Sequence, residues 1–155
     1  MKVLVLTISD RAHRGEYEDL SGPAVEKILL EGMEDTIVER AIVSDDEPDI
    51  ENVLRASGTF DIILTTGGTG LGPRDVTPEA TQRACDRIIP GIGEYLRGES
   101  LRETKSAVVS RGTAGMIGKT IVVNMPGSVK GASFCAGLLV DILPHALAMA
   151  RGEGH

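Results

Sequence analysis

Apolar residues along the chain gather in short runs rich in Val, Ile and Thr: VLVLTI (3–8), TIVERAIV (36–43), FDIILTT (60–66), SAVVS (106–110) and KTIVVNM (119–125). Such residues suit a pleated surface, so each run predicts a strand. The first, third and last runs are apolar at consecutive positions, the pattern of strands covered on both faces. Between the runs, apolar residues recur at helical spacing. SGPAVEKILLEG (21–32) predicts a helix with Ser21 as N-cap, Pro23 in its first turn and Gly32 as its stop; PDIENVLRASG (48–58) starts at Pro48 and ends at Gly58. TPEATQRACDRII (77–89) predicts a third, capped by Thr77, with Pro78 at its first position and Glu79 near the positive end of its dipole. A shorter helix over GIGEYLRGESLRE (91–103) follows, and the long one over 131–150 should kink or break at Pro144. Strands alternating with helices predict the α/β class: a three-layer α/β/α fold around a largely parallel central sheet, with residues 1–155 forming one domain.

Ligands of open α/β sheets bind beyond the carboxyl ends of the strands. Four polar, turn-forming segments follow predicted strands here: SDRAHRGEYED (9–19), SDDEPD (44–49), TTGGTGLGPRDVTPEAT (65–81) and NMPGS (124–128). They are expected to converge on one site. The glycine loop is not a P-loop, because no GKS or GKT follows, and it fails GxGxxG because Asp75 stands where the last glycine belongs. Gly67, Gly68, Gly70 and Gly72 nevertheless allow successive amides to face an anion just ahead of a helix N-terminus; the alternative is a long flexible turn. Asp45 and Asp75 could flank one phosphate chain and supply the two carboxylates that Mg²⁺ takes alongside phosphate oxygens. Asp46 and Glu47 read better as caps of the helix at Pro48, and Asp75 could instead help to cap the helix at Thr77. His13, His145 and His155 offer no pairing with a serine or cysteine. A phosphate nucleophile is already an anion and needs no such base.

Composition narrows the partners. Sixteen Lys and Arg against twenty-three Asp and Glu give a net charge of −7, and two Tyr with two Phe leave little for base stacking, so nucleic acid is not an expected partner. An anionic ligand must be met by local donors. The opening MKVLVLTISD is too short an apolar run for a signal segment or a membrane span, so a soluble cytoplasmic protein without membrane contact is expected. Cys85 and Cys135 sit fifty residues apart in apolar helical patterns and read as buried free thiols rather than a disulfide.

Taken together in this order and spacing, TISDRAHRGEYEDLSGP (7–23), TTGGTGLGPRDVTPEAT, PGIGEYLR (90–97), VVSRGTAGMIGKT (108–120) and VVNMPGS (122–128) resemble the molybdopterin adenylyltransferases of molybdenum cofactor biosynthesis, whose domain also opens gephyrin-like fusion proteins. The resemblance covers nearly the whole chain. It implies that the terminal phosphate of molybdopterin attacks the α-phosphate of ATP with Mg²⁺ present, releasing pyrophosphate. It places two essential aspartates on Asp45 and Asp75, and the nucleotide phosphates on Gly67, Gly68, Thr69 and Gly70 with Arg74 beside them. Ser110, Arg111, Asn124, Pro126, Gly127 and Ser128 become pterin contacts, with Ser9, Asp10 and Arg11 at the opening of the same site. Read as residues alone, Ser110 and Arg111 could end a strand, Asn124–Ser128 could be an ordinary turn, and Arg74 could pair with Asp75. Glu79 reads as a surface residue favoured by the dipole. Ser44 and Val129 depart from the prolines common at these positions in the family, which bears on loop rigidity. The resemblance further implies a homotrimer, or a hexamer, and a partner that inserts molybdate. The alternatives are a non-catalytic pterin- or nucleotide-binding carrier of the same fold, and a Mg²⁺-dependent nucleotide pyrophosphatase.

Overall fold

The computed structural model describes residues 1–153; His155 lies outside the described residues. Strand β1 (Lys2–Ile8) leads through a single helical turn, α1 (Asp10–His13), to α2 (Ser21–Gly32), β2 (Ile37–Val43), α3 (Glu47–Ala56), β3 (Ile62–Thr66) and α4 (Thr77–Ala84). The chain continues through β4 (Arg87–Ile88), α5 (Pro90–Ser100), a 3₁₀ turn at Lys105–Val109, β5 (Ala114–Ile117), β6 (Thr120–Met125) and α6 (Val129–Ala150). The strands form one sheet in the order β2-β1-β3-β6-β5-β4. The first four are parallel neighbours, and β5 runs antiparallel to both β6 and β4. The expected layered fold with a largely parallel sheet is therefore present.

Alternation along the central strands builds two cores. Val3 and Val5, Ile62 and Leu64, and Ile121, Val123 and Met125 face α2, α5 and α6, where Leu29, Leu96, Leu139 and Leu143 meet them. Leu4, Leu6 and Ile8, with Ile63 and Val122, face the other way onto Ile50 and Leu54 of α3 and Ala80 and Ala84 of α4. From Val3 to Ile8 in β1, and throughout β3 and β6, every residue is buried, as runs without alternation require. Edge strand β2 is mostly exposed, and the charged pair Glu39–Arg40 interrupts its apolar run.

Several local expectations fail for identifiable reasons. SAVVS does not form a strand: Lys105–Val109 is a 3₁₀ turn with no buried residue, opened by the Thr104 hydroxyl accepting from the Ser106 amide. The position beside β6 belongs instead to β5, folded back across Gly118–Lys119, and four residues carry too little periodicity to announce it. The helix expected over 77–89 stops at Ala84, and Arg87–Ile88 crosses to pair with β5. Ser21 is inside α2 rather than its cap; the Asp19 carboxylate accepts from the Ser21 hydroxyl (3.2 Å) and the Gly22 amide (3.0 Å) and so does the capping. Neither Asp46 nor Thr77 caps its helix by a side-chain bond. Helix α6 runs through Pro144 unbroken, with Leu139, Leu143 and Leu147 buried on both sides of it, so packing offsets the missing hydrogen bond. This helix is long and apolar enough to cross a bilayer by composition, yet its buried face is part of the core described above.

Cys135 packs in one core and Cys85 against the other, on opposite sides of the sheet, and both are free thiols. Burial pushes both thiols up, that of Cys85 to about 11. Native protein at pH 8 is therefore expected to react slowly at both with a thiol reagent, and rapidly at both in guanidinium. Cys85 stays protonated in the fold between pH 9 and about 11 while the unfolded chain loses that proton, so stability should fall across this window. Urea midpoints at pH 8.5 and 10.5 for the wild type and Cys85→Ala check the sign, the wild type losing more.

Candidate active site

The strand order places β1 between β2 and β3, so the direction of winding reverses between β1 and β3 and a crevice opens beyond their carboxyl ends. All four polar segments singled out in the sequence meet along this edge. Gly67 is the point of closest approach. Its φ is +111°, and a β-carbon there would collide with the Ile8 carbonyl oxygen of β1. On the other side its Cα packs against Gly127, where an added β-carbon would stand 3.1 Å away. Gly68 has φ +66°, and a side chain would run into the Thr77 hydroxyl. That hydroxyl is buried and donates to the Gly67 carbonyl (2.9 Å), while the Thr77 amide donates to the Gly68 carbonyl (3.1 Å). Thr77, expected as a cap, is thus a clasp closing the glycine loop onto α4.

Arg111 holds the same loop from the β5 side. Its backbone amide donates to the Thr69 carbonyl (2.9 Å), Nε to the Gly70 carbonyl (2.8 Å) and Nη2 to the Asp75 carbonyl (2.5 Å), and Nη1 forms an ion pair with Glu79. Burial pushes the Glu79 carboxyl up, but the Arg111 hydrogen bond and charge hold it below the usual range. Arg111 was expected to touch pterin, and Glu79 to be a plain surface residue; the fold commits both to the loop. Asn124 is likewise used internally. Its amide donates to the hydroxyls of Thr65 (3.0 Å) and Thr81 (2.9 Å), and its oxygen accepts from the Thr113 amide (3.2 Å).

Around the loop tip the carboxylates are organised in pairs. The Asp10 amide donates to Asp45 Oδ2 (2.7 Å) and the Asp45 amide donates to Asp10 Oδ1 (2.9 Å). Arg74 reaches across from the loop, with Nε and Nη2 on the two oxygens of Asp10 (3.0 and 2.9 Å) and Nη1 on Asp46 (3.1 Å). It does not pair with Asp75, whose Oδ2 accepts from the Gly72 amide (2.8 Å). The Asp45 amide, helped by Arg74 and opposed by burial, lowers Asp10. Asp45 moves the other way: burial raises it, the Asp10 amide opposes this, and the charges of Asp10 and Asp75 add to the rise. Asp45 Oδ1 is directed towards Gly68.

Two cavities flank this partition. The larger, of about 630 Å³, lies between the loop, α5, the 3₁₀ turn and the start of α6, within the size range of small-molecule pockets. Thr69, Gly70, Ser110, Asn124, Pro126 and Ser128 line it, as do Lys130 and Phe134, which the sequence did not flag. The smaller, of about 290 Å³, lies at the β1–β3 crevice against Ser9, Gly67, Gly68, Gly127 and Ser128, with Tyr17 and Asp19 on its far wall. Ser128 lines both cavities and caps α6 by accepting from the Gly131 amide (3.1 Å). Arg11 does not line the larger cavity; its guanidinium stacks on Tyr17, 5.1 Å from the ring centre. Arg97 shapes the larger cavity by donating to the Gly112 carbonyl (2.6 Å) and, more weakly, to that of Ser110 (3.4 Å); a helical arginine carries no sequence signal for such a role.

The fold and site define an α/β protein whose glycine loop and paired carboxylates gather at the carboxyl edge of its sheet. Residues 4–145 match the family described as "Probable molybdopterin binding domain", and the chain belongs to that family. It is similar, at 36% identity over 96% of this chain and 87% of the other, to the molybdopterin adenylyltransferase of Helicobacter pylori. Among solved structures it is similar to the molybdopterin biosynthesis enzyme MoaB of Thermus thermophilus, with 44% identity, a TM-score of 0.89 and coverage of 98% and 97% of the two chains. The molybdopterin biosynthesis Mog protein of Mycobacterium ulcerans, at 32% identity, gives the same TM-score and coverage.

The Thr77 clasp yields a direct test. Thr77→Val keeps the shape but leaves the buried Gly67 carbonyl without its donor, so it should cost about 1–3 kcal/mol in urea unfolding, with Thr77→Ser recovering most of the loss. A wild-type midpoint for Thr77→Val would show that the hydroxyl does not close the loop.

Proposed function

We propose that this protein adenylylates molybdopterin. A phosphate oxygen of the pterin attacks the α-phosphorus of ATP, the bond from that phosphorus to the α,β-bridging oxygen breaks, and pyrophosphate leaves with the electron pair. One observation carries this reading: the glycine loop forms a wall between two cavities, with Gly67 and Gly68 lining one, Thr69 and Gly70 the other, and Ser128 shared. Transfer between two bound molecules needs such a seam, because the reacting atoms must meet in a fixed geometry. Molybdopterin takes the larger cavity, where Ser110, Pro126 and Ser128 face it; the nucleotide phosphates lie along Gly67 and Gly68 at the smaller one. Relatives bearing the adenylyltransferase name support the assignment.

The chain's own part is positional and electrostatic. Loop amides face the phosphates, and Asp45 and Asp75 fix the approach from either side. No cluster of three acidic, histidine or cysteine side chains gathers round a point among the described residues. The donor set nevertheless suits Mg²⁺ arriving with a nucleotide: two carboxylates, each with an oxygen left without a partner among the described residues. Asp45 and Asp75 would hold the ion, which when bound neutralises charge on the phosphates. The reading includes a homotrimer acting in the cytoplasm, and sedimentation should return about three times the 16.4 kDa chain mass.

Incubation with molybdopterin, ATP and Mg²⁺ should yield adenylylated pterin and pyrophosphate in equal amounts. Tight pterin binding with neither product would make the protein a carrier, and ATP hydrolysis without pterin would make it a pyrophosphatase. Asp75→Ala is expected to abolish turnover with pterin affinity little changed, whereas Ser110→Ala should weaken pterin binding and spare ATP. Calorimetry with each ligand alone separates the two effects.

A further inference from the structure

We propose that Arg74 and Asp10 are positioning residues, forming a bridge that sets the separation of Asp45 and Asp75; the inference rests on the transferase reading of those two carboxylates. Arg74 directly precedes Asp75, so the guanidinium and the Asp75 carboxylate share one stretch of backbone. The guanidinium grips both oxygens of Asp10 at 3.0 and 2.9 Å, and Asp10 is locked to Asp45 by two reciprocal bonds, each from a main-chain amide to the other's carboxylate, of 2.7 and 2.9 Å. The path from one carboxylate to the other therefore runs through directional contacts only: Asp75, Arg74, Asp10, Asp45. A bidentate arginine–carboxylate pair fixes orientation as well as distance, which a single point charge does not.

The bridge is needed because the two carboxylates sit on different loops. Arg111 fixes the inner side of the glycine loop through the Gly70 and Asp75 carbonyls. The outer side, where Leu71 is 70% exposed, has the Gly72–Asp75 turn and the Arg74 grip. Arg74 Nε, Nη1 and Nη2 each donate to Asp10 or Asp46, and both Asp10 oxygens accept, so these contacts set the orientation of both side chains. The single positive charge is spent on Asp10 and Asp46, leaving Asp45 and Asp75 to receive a cation and its phosphates.

The test compares Asp10→Asn, Arg74→Met, Arg74→Lys and the double variant Asp10→Asn/Arg74→Met with the wild type. Turnover is measured alongside pterin binding by calorimetry and Mn²⁺ binding by electron paramagnetic resonance with α,β-methylene-ATP present. A bridge acting as one unit predicts at least tenfold lower kcat in Asp10→Asn and in Arg74→Met, no further loss in the double variant, and pterin affinity within twofold of wild type. Mn²⁺ binding should weaken at least threefold in the same variants, and Arg74→Lys should recover only part. Losses that multiply in the double variant would overturn the bridge. So would a raised KM for ATP with kcat intact, which would make Arg74 a phosphate ligand. If the wild type itself forms no product, the transferase reading fails on its own, and the Mn²⁺ titration still decides the bridge: unchanged affinity in both single variants overturns it. Arg74 is half-exposed, so its variants carry the comparison even if Asp10→Asn does not fold.

Discussion

Three backbones meet at Gly67, and the carboxyl edge of the sheet is organised around that contact. The end of β1, the glycine loop after β3 and the turn after β6 approach too closely for any side chain to stand between them. The positive φ values at Gly67 and Gly68 are what this proximity demands, and the Thr77 hydroxyl supplies the donor that a carbonyl turned into the interior must have. Once that junction is fixed, the loop has no freedom to fill either neighbouring space, and both cavities stay open. The conformational entropy lost in ordering four glycines is offset by hydrogen bonds from Thr77, from Arg111 and from Gly67 itself to Met125.

Much of this was legible in the sequence. The three unalternating runs had to be covered strands, and the class of fold followed from their alternation with helices. Convergence of the four polar segments followed from the parallel order. What stayed hidden was of two kinds. Short elements, such as β4 with two residues and β5 with four, have no period to detect, and the apolar look of SAVVS misled because local propensity cannot know that the position beside β6 is already taken. The second kind is the role of long polar side chains. A sequence shows that Asp10, Arg74, Arg111 and Asn124 lie beside the site, but whether each faces a ligand or a neighbour depends on which acceptors the fold brings within 3 Å. Here all four are hydrogen-bonded to neighbours, and Asn124, like Ser110 and Ser128, also lines the larger cavity.

The electrostatics follow the same division. With a net charge of −7, the chain has no general attraction for polyanions. Its two arginines nearest the loop are committed to Asp10, Asp46, Glu79 and main-chain carbonyls. On the proposed reading, a phosphate chain would be met by loop amides and by the cation that accompanies it, which would favour a nucleotide carrying its metal over a bare anion.

The wall between the cavities also governs the fate of any product made by joining their occupants. Two molecules that bind separately each surrender their own translational freedom, whereas a single molecule spanning the seam surrenders it once and keeps both sets of contacts. A linked product is therefore gripped more firmly than either half, and its escape requires both compartments to let go together. On the proposed transferase reading, the slow step of the cycle is expected in handing over the product rather than in making it.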